Sequence, residues 1–471
     1  MRHPPCKVRL PEPEERAISS TDIAAEPPVI KRRHVAAAVI GNALEFYDFT
    51  TFAFFAAAIG QAFFPSGPGG ITHSEFGSLM ASLGTFWAGF ILRPLGGVII
   101  GFYADRIGRK PAMLLSFTLM GLAILALAVI PAYSSIGFIA PVLAVLARLL
   151  QGFALGGEVG PTTAYLVETA PANKRGLYAS WQSASQSVAA VVGGGVGLGL
   201  SLVMSGPALE TYGWRIAFLL GALTLPFGLY IRRSLPETLH APDHLPQYAV
   251  EKTGLLRSAA NITHDHARAI VTGLAILAGG TVATYVLNYM TTFARTTLHM
   301  GSSQSFSATL VNGVFGVAAS LAGGWLSDRF GRRRMMIIPR TLFLLATYPV
   351  FLLIVYQRST VALLLGTAIL SILLNISSGA FYVAFGEALP KRVRGGIFAT
   401  VYATSIFVFG GSTQPLIAWL IHITGNALAP SWYLLVITAI SLIAMIAMAE
   451  TAPARLARSD AAPEPGLAPT A

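Results

Sequence analysis

Cysteine is almost missing from this chain of 471 residues. The single one, Cys6, lies in a polar stretch, which excludes an intramolecular disulfide and a four-cysteine metal site. Charge is scarce as well: Asp, Glu, Lys and Arg make up 11% of the residues, against roughly 25% in an ordinary soluble domain. There is no GxxxxGK[ST] phosphate loop, so ATP is not the evident energy source. The glycine run from Gly193 to Gly199 lies inside an apolar segment with no strand before it, and reads as helix packing. No nucleophile, base and orienting residue group together, so no enzyme, cofactor or metal is expected. The first 34 residues lack the apolar core and small-residue cleavage site of a signal peptide and read as a disordered tail. The net charge of +11 could suggest nucleic acid, but the basic residues sit in short loops between apolar runs. Membrane topology accounts for them better.

What the chain does have is apolar length. With 54% hydrophobic residues and a mean hydropathy of +0.64, it holds more apolar surface than a soluble core of this size can hide. Apolar runs long enough for helices to cross about 30 Å of hydrocarbon occur at 35–63, 77–103, 112–131, 138–168, 178–204 and 214–231. A polar segment, 232–268, reads as a linker. Six more runs follow at 269–293, 306–326, 335–356, 361–387, 397–422 and 431–449. The expected organisation is therefore an all-α integral membrane protein of twelve transmembrane helices in two six-helix bundles. It comprises a tail (1–34), a first bundle (35–231), a linker (232–268), a second bundle (269–450) and a tail (451–471). With both termini inside, inward-facing segments hold 26 of the 32 Lys and Arg; Arg215, Arg295 and Arg358 face outward and three lie within spans. That bias sets the topology, with both termini cytoplasmic.

The two halves repeat. GVIIGFYADRIGRK (97–110) returns as GWLSDRFGRR (324–333), and Glu168, Pro171, Arg175 and Gly176 return as Glu387, Pro390, Arg394 and Gly395 at the same internal spacing. A period containing six spans makes the halves run parallel through the membrane. The charged sets Asp105, Arg106, Gly108, Arg109, Lys110 and Asp328, Arg329, Gly331, Arg332, Arg333 read as a gate, in which acids at helix ends pair with arginines of adjacent helices on one side of the membrane. Glu168 with Arg175, and Glu387 with Arg394, belong to the same ion-pair layer. The alternative, a solvated topology signal, explains the basic residues but leaves the acid and glycine kept at one spacing unexplained.

The two DRxGRR/K loops, with Arg148-Leu149-Leu150-Gln151-Gly152, resemble the major facilitator superfamily over nearly the whole chain outside the tails. GNALEFYDF (41–49), LRPLGG (92–97), RLLQGFALGGE (148–158) and GWRIAF (213–218) look like its metabolite:proton symporter family. YASWQSASQSVA (178–189) and FGGSTQPLIAWLIHITG (409–425) look most like bacterial citrate and tricarballylate proton symporters. The resemblance implies proton-coupled import of a small organic anion, citrate or a related tricarboxylate, across the bacterial cell inner membrane by a monomer rocking between two states. Its rivals are a dicarboxylate or zwitterionic osmolyte carrier and a non-transporting sensor, the last disfavoured by tails without signalling periodicity.

An ionisable side chain at membrane depth costs several kcal/mol unless paired or wet, so each one is a site candidate. Glu45 and Asp48 share one helical face and can hold protons, or form a structural pair with Arg93 or Arg148; the resemblance favours Asp48 as the coupling residue. Arg148, Gln151, Leu155, Glu158 and Thr162 fall within an arc of about 80° on a regular helix, expected to line a cavity. Arg148 can bind a carboxylate or tune a neighbouring acid, and the resemblance ties it to proton transfer; Glu158 is a coupling candidate or a structural partner. Arg93, followed by Pro94 and two glycines, is a candidate anion anchor or a partner of Asp48. The polar stripes Gln182, Ser185, Gln186 and Thr281, Tyr285, Asn288, Thr292 are candidates for substrate contact or for interhelical glue. Arg340 reads as close enough to a helix end to snorkel, outside the site.

Overall fold

The computed structural model describes residues 32–107, 109–156, 166, 170–233, 267–389 and 394–452. The remainder of the two tails and most of the linker lie outside the described residues. Among them the regular structure is helical, apart from one bridge between Ser66 and Thr72. In chain order the main helices are α1 (Arg32–Phe54), α2 (Ala56–Phe63), α3 (Glu75–Ile91), α4 (Arg93–Ile107), α5 (Arg109–Val129), α6 (Ile139–Leu155) and α7 (Trp181–Val203), then α8 (Trp214–Arg233). Beyond the linker come α9 (Ala267–Thr296), α10 (Ser302–Phe330), α11 (Arg332–Gln357), α12 (Thr360–Ala388), α13 (Arg394–Ser405), α14 (Gly411–Thr424) and α15 (Ala429–Ala447). Eight helical stretches are long and apolar enough to cross a membrane, and two shorter apolar ones, Leu114–Val129 and Ile139–Leu155, accompany them. Large aliphatic side chains such as Val203, Leu223, Leu345 and Ile443 are exposed on their outer faces. Exposed apolar surface of this extent suits hydrocarbon rather than water.

Not every expected span is one unbroken α-helix. The run 35–63 divides at Phe55, whose φ of −101° and ψ of 14° interrupt the helix. The run 77–103 divides after Ile91, just before Pro94. Proline has no N–H to donate, and its ring displaces the carbonyl one turn earlier.

Small residues set the closest crossings. A Cβ on Gly152 of α6 would strike the carbonyl of Gly89 in α3, one on Gly96 of α4 the carbonyl of Phe153, and one on Gly156 the carbonyl of Arg93. Without a hydrophobic drive between helices in lipid, such backbone approach is what holds them. Between the halves α7 packs along α10, α3 against α14 and α1 against α9. There too glycines fit backbone to backbone, Gly194 against Leu310 and Gly313 against Val191.

Candidate functional site

Where α1, α3 and α7 face α9 to α14, the packing leaves a cavity of about 80 Å³. That is several times the roughly 10–15 Å³ that one water needs on the same kind of measure. Phe49, Phe86, Tyr285, Phe381, Tyr382 and Tyr402 give it aromatic walls, and Gln186, Asn288, Asn312, Asn375 and Gln414 give it amides. Among the described residues Arg340 is its one charged lining residue.

Arg340 corrects the expectation that it snorkels to a helix end. It is 1% exposed, its Nε donates to Ser377 Oγ at 3.3 Å, and its Nη1 has no hydrogen-bond partner among the described residues. The arginine begins the third turn of α11, about 12 Å along the helix axis from Arg332, and α12 supplies the hydroxyl that turns it inward. No carboxylate lies within ion-pair reach of it among the described residues.

Asp48 and Arg148 form a second buried charge site. Arg148 Nη1 donates to Asp48 Oδ2 at 3.0 Å, with both side chains 1% exposed, and also makes a very short bond to Gln151 Oε1. Of the two partners open in the sequence for Asp48, the structure places Arg148. The guanidinium lies 4.8, 4.4 and 5.4 Å from the ring centroids of Phe49, Phe52 and Phe86. Arg93 stands beside it, 4.7 Å from the ring of Phe49 and 4.6 Å from that of Phe90. These rings attract cations and seal them from water. The described part of the α6 arc departs from the expectation that it lines the cavity: Arg148 lies against these rings, and Arg148, Gln151 and Leu155 are buried and absent from the lining. Arg93, buried against Phe49 and Phe90, does not line the cavity either. Glu158 and Thr162 lie outside the described residues, as does the side chain of Glu45. Tyr285 of α9 reaches the layer from the other half, its ring centroid 6.1 Å from Phe86 and 6.0 Å from Phe90.

The polar stripe of α7 faces two ways. Gln186 lines the cavity, beside Ser183 and Ser187, and its Nε2 reaches Tyr402 Oη at 3.5 Å. Gln182 and Ser185 do not line it. Asn42 of α1 donates to Ser185 Oγ at 2.6 Å and meets Gln182 at 3.4 Å, so both are glue between α1 and α7. At 100° per residue Ser185 points about 160°, 100° and 140° away from the cavity-lining Ser183, Gln186 and Ala190. On α9, Thr281, Tyr285 and Asn288 line the cavity, whereas Thr292 donates to the carbonyl of Ala53 at 3.0 Å. Gln414, which the sequence reading did not single out, is fully buried and lines the cavity, with no partner for Oε1 or Nε2 among the described residues. Its signal was available as an amide inside an apolar span.

Both ends of the cavity carry contacts between halves. At one end Asp328 accepts from the backbone amides of Gly176 at 2.9 Å and Leu177 at 3.1 Å, in the first turn of a short helix, Arg175–Ala179. A carboxylate there also meets the positive end of the helix. Arg332 bonds Asp328 at 2.6 Å and clamps Glu387 through Nε and Nη2 at 3.2 and 3.3 Å, and Arg175 approaches Glu387 at 4.0 Å. Arg329 and Arg333 depart from the expected layer. Arg329 stacks on Trp325 of its own helix at 4.1 Å, and Arg333 bonds Glu450 and the carbonyl of Ile446 within the second half. Gly331 takes a φ of +99° at the turn between α10 and α11, a value that favours glycine. The side chains of Asp105, Arg106, Arg109, Lys110 and Arg394, and all of Gly108 and Glu168, lie outside the described residues. At the opposite end Arg295 pairs with Glu210 at 3.0 Å, and His422 stacks on Phe76 at 3.8 Å.

A polar cavity between two sets of apolar helices, crossed by contacts at both ends, is the architecture of a membrane carrier for small solutes. Residues 38–410 match the family described as Major Facilitator Superfamily, and the chain belongs to that family. It is 35% identical over 406 residues to a citrate-proton symporter of Salmonella typhi, covering 84% of this chain and 88% of that one. It is 30% identical over 428 residues to a proline/betaine transporter of Salmonella typhimurium, covering 89% and 84%. An alpha-ketoglutarate permease of Escherichia coli shares 31% over 412 residues, covering 86% and 90%. In fold, the chain is similar to a D-xylose-proton symporter, with a TM-score of 0.69 at 18% identity, covering 89% of this chain and 98% of that one. The protein is therefore a secondary transporter of the bacterial inner membrane, with several passes, and not an enzyme.

Proposed function

We propose that the protein imports a small organic anion, citrate or a related tricarboxylate, together with protons. The observation that carries this reading is Arg340, the one charged side chain lining the cavity among the described residues, buried and without a carboxylate partner. A buried cation left uncompensated is costly, and an anionic solute relieves that cost by binding. The citrate-proton symporters among the relatives support the same class. Twelve helices in two six-helix bundles, with both termini cytoplasmic, would rock about this cavity to expose it to each side in turn.

In this reading Asp48 carries the proton. Ionised, it neutralises Arg148; protonated, it frees the guanidinium, which keeps Gln151 and the rings of Phe49, Phe52 and Phe86 as partners. That gives the pair two states separated by one proton, next to a layer in which Phe49 and Phe86 also line the cavity. A second reading, a zwitterionic osmolyte such as a betaine, is favoured by the aromatic walls. Rings such as Tyr285, Phe381 and Tyr382 would hold a quaternary ammonium while Arg340 takes its carboxylate. Uptake of labelled citrate into proteoliposomes with an inward proton gradient tests the choice. Accumulation of citrate supports the first reading, and accumulation of glycine betaine without citrate replaces it with the second.

Asp328 is the gate residue with the most to lose, because its bonds to the Gly176 and Leu177 amides join the halves. Charge-assisted bonds are worth about 1.5–3 kcal/mol, so Asp328→Asn should open this end on the order of tenfold more often. Ser180 is fully buried at this junction, close to Gly324. A Ser180→Cys reporter in a Cys6→Ser background should react with a water-soluble thiol reagent on the order of tenfold faster once Asp328→Asn is added. An unchanged rate would remove Asp328 from the gate.

A further inference from the structure

Gln414 is an unusual feature of the cavity wall. Its amide is fully buried, yet neither Oε1 nor Nε2 has a partner among the described residues. The other second-half amides of the wall are occupied: Asn312 donates to Asn288 Oδ1 at 3.4 Å, and Asn375 donates to the carbonyl of Ser371 at 2.8 Å. A buried amide with both functions unmet costs free energy, so a solute that supplies one acceptor and one donor is favoured there. Arg340, which lines the same cavity, presents only donors.

An ionised carboxylate meets half of this requirement. It accepts from Arg340 and could accept from Gln414 Nε2, but it has no hydrogen to give Oε1. A second ionised carboxylate would also enter a cavity whose one described charge is already matched. A protonated carboxyl does better, because its O–H donates to Oε1 while its C=O accepts from Nε2–H, in a cyclic pair. Resting on the organic-anion reading above, we infer that the cavity takes a polycarboxylic acid in a part-protonated form, one ionised carboxylate on Arg340 and one protonated carboxyl on Gln414. The solute then carries a proton of its own, besides any held by Asp48.

The titratable groups on the cavity wall are Arg340 and the phenols of Tyr285, Tyr382 and Tyr402. By their ordinary ranges these groups keep their protons between about pH 5 and pH 8. Asp48 lies behind Phe49, so a probe is needed that separates protonation of the solute from protonation of the protein. Tricarballylate and its diamide, in which two of the three carboxyls are carboxamides, form that pair. The diamide retains one carboxylate and offers Gln414 a permanent donor and acceptor that do not titrate.

The test is calorimetric binding of both compounds to the purified full-length protein in detergent, with no gradient, at about pH 5.5 and pH 7.5. Tricarballylate affinity should fall on the order of tenfold or more between them, as its protonated carboxyls are lost. The diamide should change by less than about twofold. Gln414→Leu should weaken the diamide and remove the preference for acid-form tricarballylate. Equal tricarballylate binding at both pH values overturns the inference. So does a matching fall for the diamide, which would place the titration on the protein. If neither compound binds while glycine betaine does, the organic-anion reading itself has failed and this inference with it.

Discussion

Asp48→Asn should cut citrate accumulation driven by a proton gradient by about tenfold per pH unit, while exchange of labelled for unlabelled citrate across the same vesicles continues. Each coupled proton returns about 1.4 kcal/mol per pH unit, enough for about tenfold accumulation of the solute. Losing the proton on Asp48 therefore removes that factor and leaves only the drive of a proton carried on the solute itself. Asparagine matches the shape of protonated aspartic acid and can still accept from Arg148, so the fully buried site should remain packed. Exchange needs both faces of the cavity to open in turn but needs no net proton movement. Loss of accumulation and exchange together would make Asp48 a structural partner of Arg148. Full accumulation in the variant would place the proton elsewhere.

Arg340→Leu has the second large effect, in two opposite directions. Truncating one partner of a buried charge pair costs about 2–5 kcal/mol in binding, so affinity for citrate should drop on the order of 30-fold or more. The empty protein should be at least as stable, because a buried cation with no carboxylate partner has been replaced by an apolar side chain. A melting curve and a binding isotherm on the same preparation check both. Weaker binding with a lower melting temperature would indicate a packing role through Ser377, and unchanged binding would remove Arg340 from the site. Arg340→Lys should recover part of the affinity, since it restores the charge without the fork.

How much of this could be read from residues alone depended on whether a neighbour in sequence was also a neighbour in space. Apolar length located the helices because a bilayer demands it, and the spacing of Asp328, Arg332 and Glu387 marked residues that do come together. Arg340 was misjudged because depth was counted from the basic loop at Arg332–Arg334, while its direction is set by Ser377, a helix away. Gln182 and Ser185 stayed open between substrate contact and interhelical glue for the same reason, since Asn42, which bonds them, lies 140 or more positions earlier. Gln414 was legible as a polar residue in an apolar span, but its unmet amide became visible only when its neighbours were in place. The aromatic layer over Arg148 was the least legible feature. Phe49, Phe52 and Phe86 read as ordinary span residues, and only the crossing of α1 and α3 with α6 turns them into a seal.

The most direct test of proton-coupled anion import uses no imposed pH gradient. Citrate is added outside proteoliposomes that contain a trapped pH-sensitive dye, with the membrane potential clamped. Coupled import predicts that the lumen acidifies when citrate is added and does not when glycine betaine is added. Entry of labelled citrate with no change in the dye would contradict the coupling.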